Sequence, residues 1–213
     1  MKHEKEADKK GKIKAIVFDL GKVLVFYDHM IAAKKMSRII KVPPKPIFKI
    51  LSGNSNEFSK TSDTGAPSSE YWNLAAKELG VNEIPTKEFN EIWNTIFWLN
   101  KPLISLIKNL KKEYKIALLS NLGTEHKKYL LKKYKLRQLF PLLVLSCELK
   151  TRKPGSKIFK ITLKKLKTKP SETVFIDNLE ENVKGAERVG IHGILFKDNS
   201  KLIKDMRKLG IKV

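Results

Sequence analysis

Polar and apolar positions along this chain follow two rhythms. IKAIVFDL at 13–20 is a nearly continuous apolar run closed by an acid, with the β-branched content of a strand buried on both faces. Four later segments repeat the pattern: KIALLSN at 115–121, LLVLSCE at 142–148, TVFIDN at 173–178 and GILF at 193–196. Between them, 101–112, 125–134, 157–166 and 181–189 carry apolar residues at three- and four-residue steps. Leu103, Ile104, Leu106, Ile107 and Leu110 are an example, and such spacing predicts helices with one face inward. Strands alternating with helices predict an α/β fold, a Rossmann-like parallel five-stranded sheet with helices on both faces.

Positions 27–100 break the alternation. Helical spacing recurs at 30–40, 68–79 and 86–99, punctuated by Pro43-Pro44, Pro46, Gly53, Gly65-Ala66-Pro67 and Pro85, and no buried strand is evident. Ser68 and Ser69 mark a helix start. The expectation is an all-helical cap inserted after the first strand. The domain plan is then a charged tail at 1–12, a core from 13–26 and 101–213, and a cap over 27–100. Trp72, Trp93 and Trp98 all fall in the insertion. Aromatic residues at helical spacing pack together, so a small separate core is expected, and the sharper alternative puts one or two of them in a pocket facing the main domain.

Composition narrows the classes. The chain has 213 residues, 41% hydrophobic and 31% charged, which suits a folded domain with a sizeable core. A single cysteine, Cys147, excludes a disulfide framework and an all-Cys metal site; after an apolar strand it is expected to be a small buried hydrophobe. No apolar run approaches the ~20 residues of a membrane span, and MKHEKEADKKGK has no signal-like stretch, so no membrane and a cytoplasmic location are expected. The net charge is +22, from 44 basic and 22 acidic residues, and would attract polyanions. Only Arg38, Arg137, Arg152, Arg188 and Arg207 supply the guanidinium favoured for bidentate contacts, and the lysines spread over the whole chain. Nucleic acid is therefore not an expected partner. His3, His29, His126 and His192 include no i, i+4 pair suited to zinc, and none is assigned to chemistry.

Ligands of open α/β sheets bind beyond the carboxyl ends of the strands. There the sequence sets Asp19 before Leu20-Gly21, Ser120-Asn121 before a helix, Arg152-Lys153-Pro154, and Asp177-Asn178. Carboxylate oxygens suit Mg²⁺, while lysine and a hydroxyl at a helix start suit phosphate.

In order and spacing, IVFDLGKVL (16–24), IALLSN (116–121), SCELKTRKPGSKIF (146–159) and VFIDNLEENVKGAERVG (174–190) resemble the four motifs of the haloacid dehalogenase superfamily. The likeness runs from about 13 to 197. TGAPSSEYWNLAAKELGV (64–81) is similar to the cap of a branch that includes sugar-1-phosphate phosphatases and the phosphatase domain of soluble epoxide hydrolases. The resemblance implies a phosphatase for a small phosphorylated metabolite. Asp19 is the implied nucleophile, and Asp19, the Gly21 carbonyl, Asp177 and Asn178 are implied around Mg²⁺. Ser120 and Asn121 are implied on the phosphate, and Lys153 is implied both to neutralise transferring charge and to hold Asp19 and Asp177 apart. Asn182 and Glu148 match motif positions as supporting residues.

Three departures stand out. Gly21 replaces the acid that protonates the leaving alcohol in many relatives, a contribution of roughly 10²–10⁴ in rate. Asn178 stands for the commoner Asp, and Gly155-Ser156 for Asp-Pro. The alternatives are a metal-independent 2-haloacid dehalogenase and a non-catalytic phosphate- or partner-binding protein. Oligomeric state is left open.

Overall fold

A computed structural model of the protein describes residues 12–53 and 56–213. Apart from Lys12, the expected tail lies outside the described residues. Five parallel strands, β1 (Ala15–Phe18), β4 (Lys115–Ser120), β5 (Leu142–Leu145), β6 (Thr173–Asp177) and β7 (His192–Leu195), form one sheet in the order β5-β4-β1-β6-β7. Successive side chains on a strand point to opposite faces. Ile16, Phe18, Ile116, Leu118, Val174 and Ile176 accordingly join one apolar cluster, and Ala15, Val17, Ala117, Leu119 and Phe175 join another on the opposite face. Helices cover both, with α6 (Lys101–Leu110), α7 (Thr124–Lys133) and α12 (Asn199–Lys208) on the first and α10 (Ser156–Leu166) and α11 (Glu180–Glu187) on the second. The short α8 (Leu136–Leu139) precedes β5 and α9 (Ser146–Leu149) follows it. Among the described residues, no helix is long and apolar enough to cross a membrane.

The insertion packs α1 (His29–Ile40), α2 (Pro44–Ser52), α3 (Glu57–Asp63), α4 (Ser68–Leu79) and α5 (Thr86–Asn94) around an apolar cluster of its own. Trp72 and Trp93 are buried there, whereas Trp98 is 48% exposed. The helix expected over 86–99 ends early. α5 stops at Asn94, and β3 (Phe97–Leu99) pairs antiparallel with β2 (Val25–Tyr27), closing a two-stranded neck between insertion and sheet. β-branched and aromatic side chains favour the extended form once a partner strand is present, which a helical-period reading of 86–99 does not weigh. The helices α2 and α3 also exceed the reading from periodicity. Pro44 occupies a first-turn position of α2, where its missing N–H costs nothing. Asn56 caps α3 through a 2.8 Å bond from the Ser59 N–H.

Asn100 fastens the neck. It is 3% exposed, its Nδ2 donates to the Val23 carbonyl at 2.9 Å, and its backbone N–H donates to Leu24 at 2.9 Å. The chain leaving the insertion is thereby bound to the chain entering it.

Candidate active site

The carboxyl ends of β1, β4 and β6 meet where the chain connections diverge from the central strand, the place at which such sheets bind ligands. Asp19 follows β1 directly, and its backbone N–H donates to the Ile176 carbonyl at 2.9 Å. Asp177 ends β6 with no exposed surface. Its Oδ1 accepts from the Leu179 N–H at 2.9 Å, and its Oδ2 accepts from Asn182 Nδ2 at 3.1 Å. Lys153 arrives from the loop after α9, and its Nζ donates at 2.6 Å to Asp19 Oδ1 and at 2.6 Å to Asp177 Oδ2. A lysine that is 2% exposed needs such partners, because an unpaired buried ammonium is expensive.

The loop that carries Lys153 is itself held. Asn121 Oδ1 accepts from the Lys153 N–H at 2.9 Å, and Asn121 Nδ2 donates to the Lys153 carbonyl at 3.0 Å. The Asn121 side chain is thus engaged with backbone. Ser120, buried at the end of β4, lines the same cavity as Gly21, Asn178 and Asp19. The sequence-predicted set is therefore together in space. Asn182 buttresses Asp177 as expected, whereas Glu148 sits in a part-exposed ion pair with Lys127 at 3.4 Å.

Two carboxyl groups share one ammonium at this centre. Burial pushes the Asp19 carboxyl up to about 7; Lys153 opposes the shift and Asp177 adds to it. Burial pulls the Lys153 ammonium down, but Asp177 and Asp19 outweigh it and the net direction is up. Among the described residues no group of three or more His, Cys, Asp or Glu is placed to hold a metal ion. The available donors are the Asp19 and Asp177 carboxylates, the Gly21 carbonyl and the Asn178 amide. That all-oxygen set fits a hard cation such as Mg²⁺, which keeps several waters and takes few protein ligands.

Opposite this centre the cavity, about 170 Å³, is walled by residues that periodicity did not single out for chemistry: Tyr27, His29, Phe58, Phe97 and His126, joined by Trp93. The two readings of the tryptophans both apply to Trp93, which is buried in the insertion's core and also lines the cavity. Its ring meets His126 edge-on at 4.0 Å between centroids, and Tyr27 stacks on His29 at 4.7 Å. Burial pulls His29 down to about 4 and His126 down to about 3, so both imidazoles are neutral. Asp63 of α3 pairs with Arg152 at 2.9 Å across the gap between insertion and sheet. Burial pushes Asp63 up to about 6 against the pull of Arg152 and Lys153. No local spacing marks Tyr27, Asp63 or His126, because only tertiary folding brings them to one cavity with Arg152. Cys147, expected to be buried, is half-buried, and burial raises its thiol pKa.

Comparison with known proteins agrees with this geometry. The sequence profile of the haloacid dehalogenase-like hydrolase family matches residues 32–196. Bifunctional epoxide hydrolase 2 of Rattus norvegicus is 31% identical over 116 residues, 52% of this chain and 21% of that protein. Flavin mononucleotide hydrolase 1 of Arabidopsis thaliana is 33% identical over 81 residues, 38% of this chain and 33% of that protein. The chain therefore matches a third or less of the length of these curated relatives. A HAD family enzyme of Bacteroides thetaiotaomicron, as an Asp-to-Ala mutant in complex with magnesium and inorganic phosphate, superposes with a TM-score of 0.78. It shares 26% identity, covering 90% of this chain and 98% of that one.

Proposed function

Because the chain belongs to the haloacid dehalogenase-like hydrolases, we propose that it is a Mg²⁺-dependent phosphatase that hydrolyses a small phosphorylated metabolite through an aspartyl-phosphate on Asp19. One observation carries the reading: Lys153 Nζ stands 2.6 Å from both Asp19 and Asp177 at the strand ends, beside a cavity closed by the insertion. Residues 13–26 and 101–213 then act as the catalytic core and 27–100 as the cap. The magnesium and phosphate bound by the Bacteroides enzyme support the same reading.

In this mechanism an Asp19 carboxylate oxygen attacks phosphorus, and the bond to the leaving oxygen breaks. A water then cleaves the aspartyl-phosphate, so one hard step becomes two. Ser120 donates its hydroxyl to a phosphoryl oxygen. Lys153 offsets charge on the transferring group and keeps Asp19 and Asp177 from repelling each other. Asn121, through its two bonds to the Lys153 backbone, orients that lysine. Asp19, the Gly21 carbonyl, Asp177 and Asn178 would hold Mg²⁺, which neutralises phosphoryl charge when bound. With His29 and His126 neutral and Arg152 paired to Asp63, the cavity wall opposite Asp19 suits an uncharged leaving group.

A panel of phosphate monoesters assayed with Mg²⁺ and with a chelator tests the proposal. Turnover is expected only with the cation, and Asp177→Ala should reduce it at least ~10²-fold with the fold retained by circular dichroism. Halide release from a 2-haloacid without cation would replace this reading with the dehalogenase. Phosphate binding without turnover of any ester would replace it with the non-catalytic alternative.

A further inference from the structure

Gly21 occupies the position at which a carboxyl for the leaving group is missing, and the space its side chain would take is already filled. A Cβ built on Gly21 would stand 3.2 Å from Tyr27 Cε1 and 3.4 Å from the Tyr27 hydroxyl. A side chain at 21 and the phenol of Tyr27 therefore compete for one volume. The absence of the first admits the second.

The Tyr27 ring is gripped while its hydroxyl is not. β2 holds the backbone against Phe97 in β3, His29 stacks on one face at 4.7 Å, and Phe97 meets the ring edge-on at 5.8 Å. Lys22 places its ammonium 4.5 Å from the ring centroid and donates to the Tyr27 carbonyl. No hydrogen bond to the hydroxyl is present among the described residues, although Tyr27 lines the cavity between Asp19 and the cap. A phenol keeps its proton throughout the physiological range. Here it is a donor lining the nucleophile's cavity, with no acceptor bonded to it among the described residues.

We propose that Tyr27 is the leaving-group residue of this site, its hydroxyl donating a hydrogen bond to the departing ester oxygen from the space that Gly21 leaves open. The inference rests on the phosphatase reading and adds a residue to it. As the Asp19 O–P bond forms, the P–O bond to the leaving oxygen breaks and its electron pair departs with that oxygen. The Tyr27 O–H stabilises the growing charge and retains its proton overall. The alkoxide takes a proton from water, and the hydroxide so formed cleaves phospho-Asp19 to carboxylate and hydrogen phosphate.

The test is Tyr27→Phe, which keeps the ring and its stacking, measured across esters of rising leaving-group pKa. Alkyl phosphates should lose about 10²-fold in kcat/KM, as when one transition-state donor is removed. Aryl phosphates, whose leaving groups need no help, should hardly change. A loss equal across the series, or no loss, would overturn the role of Tyr27 while leaving the phosphatase reading intact. A wild-type protein idle towards every ester would sink both, and the two failures are thereby distinguished.

Discussion

At the residue scale, the strand-end chemistry was readable because its positions are fixed by local pattern. An apolar run that ends in an acid puts that acid at the sheet's edge, and Asp19, Ser120 and Asp177 are each found there. Asp63 was not readable, since a helix-end acid in a Ser- and Thr-rich segment looks like a surface charge until Arg152 is seen beside it. It carries a pH dependence. Its carboxyl is raised from 3.8 in the unfolded reference to about 6 by burial, against Arg152 and Lys153. Between those values the folded chain binds the proton more tightly than the unfolded chain, so stability contributed by this group is present at low pH and lost as pH rises through about 6. Asp19 shifts in the same direction, so a single protein's profile does not isolate Asp63. The difference in thermal midpoint between wild type and Asp63→Asn does. That difference, wild type minus variant, should shrink between about pH 4 and about pH 7. A difference that grows with pH would mean that the ion pair with Arg152 outweighs desolvation.

At the element scale, buried strands and long amphipathic helices were legible, and short extended segments were not. β1, β4 and β6 are buried on both faces and read as apolar runs. Three residues of β3 have too few alternations to declare a period, and the pairing with β2 that makes them a strand joins positions far apart in sequence. Asn100 belongs to the same neck and shows what holds it. Its amide exchanges bonds with Asn199, Nδ2 to Oδ1 at 2.9 Å and the reverse at 2.8 Å, while also donating to Val23. Asn100→Ala strands the Val23 carbonyl and both the Oδ1 and the Nδ2 of Asn199. The expected cost is about 1–3 kcal/mol, the penalty for leaving buried polar groups unpaired, read from the urea midpoint. A loss near zero would mean that water replaces the amide. The loop after α3 also lies tight against α9. Gly65 adopts φ +90°, and a Cβ there would come within 2.5 Å of the Cys147 carbonyl, so a side chain at 65 would prise the insertion from α9.

At the scale of the whole molecule, the acids of the site sit inside a surface that is overwhelmingly basic. Net charge is +22, and 44 basic residues face 22 acidic ones, so at least half of the basic residues have no acidic partner to meet. Exposed pairs such as Lys14–Glu172 at 2.6 Å and Lys184–Glu180 at 2.7 Å contribute little, because water screens them. Repulsion among the unmatched lysines acts against the folded state as a whole, and it is longer-ranged than any of these pairs. Added salt shortens the screening length to about 8 Å at physiological ionic strength and weakens both effects, but repulsion is the larger. The thermal midpoint should therefore rise with added sodium chloride. The same field draws a dianionic ester towards the cavity, so kcat/KM for a phosphate ester should fall over the same salt series while kcat, set after binding, stays level. Opposite trends in stability and kcat/KM identify the surface charge as their common origin. A midpoint that falls with salt would instead show that the ion pairs, and not the excess of lysine, dominate the electrostatics of folding.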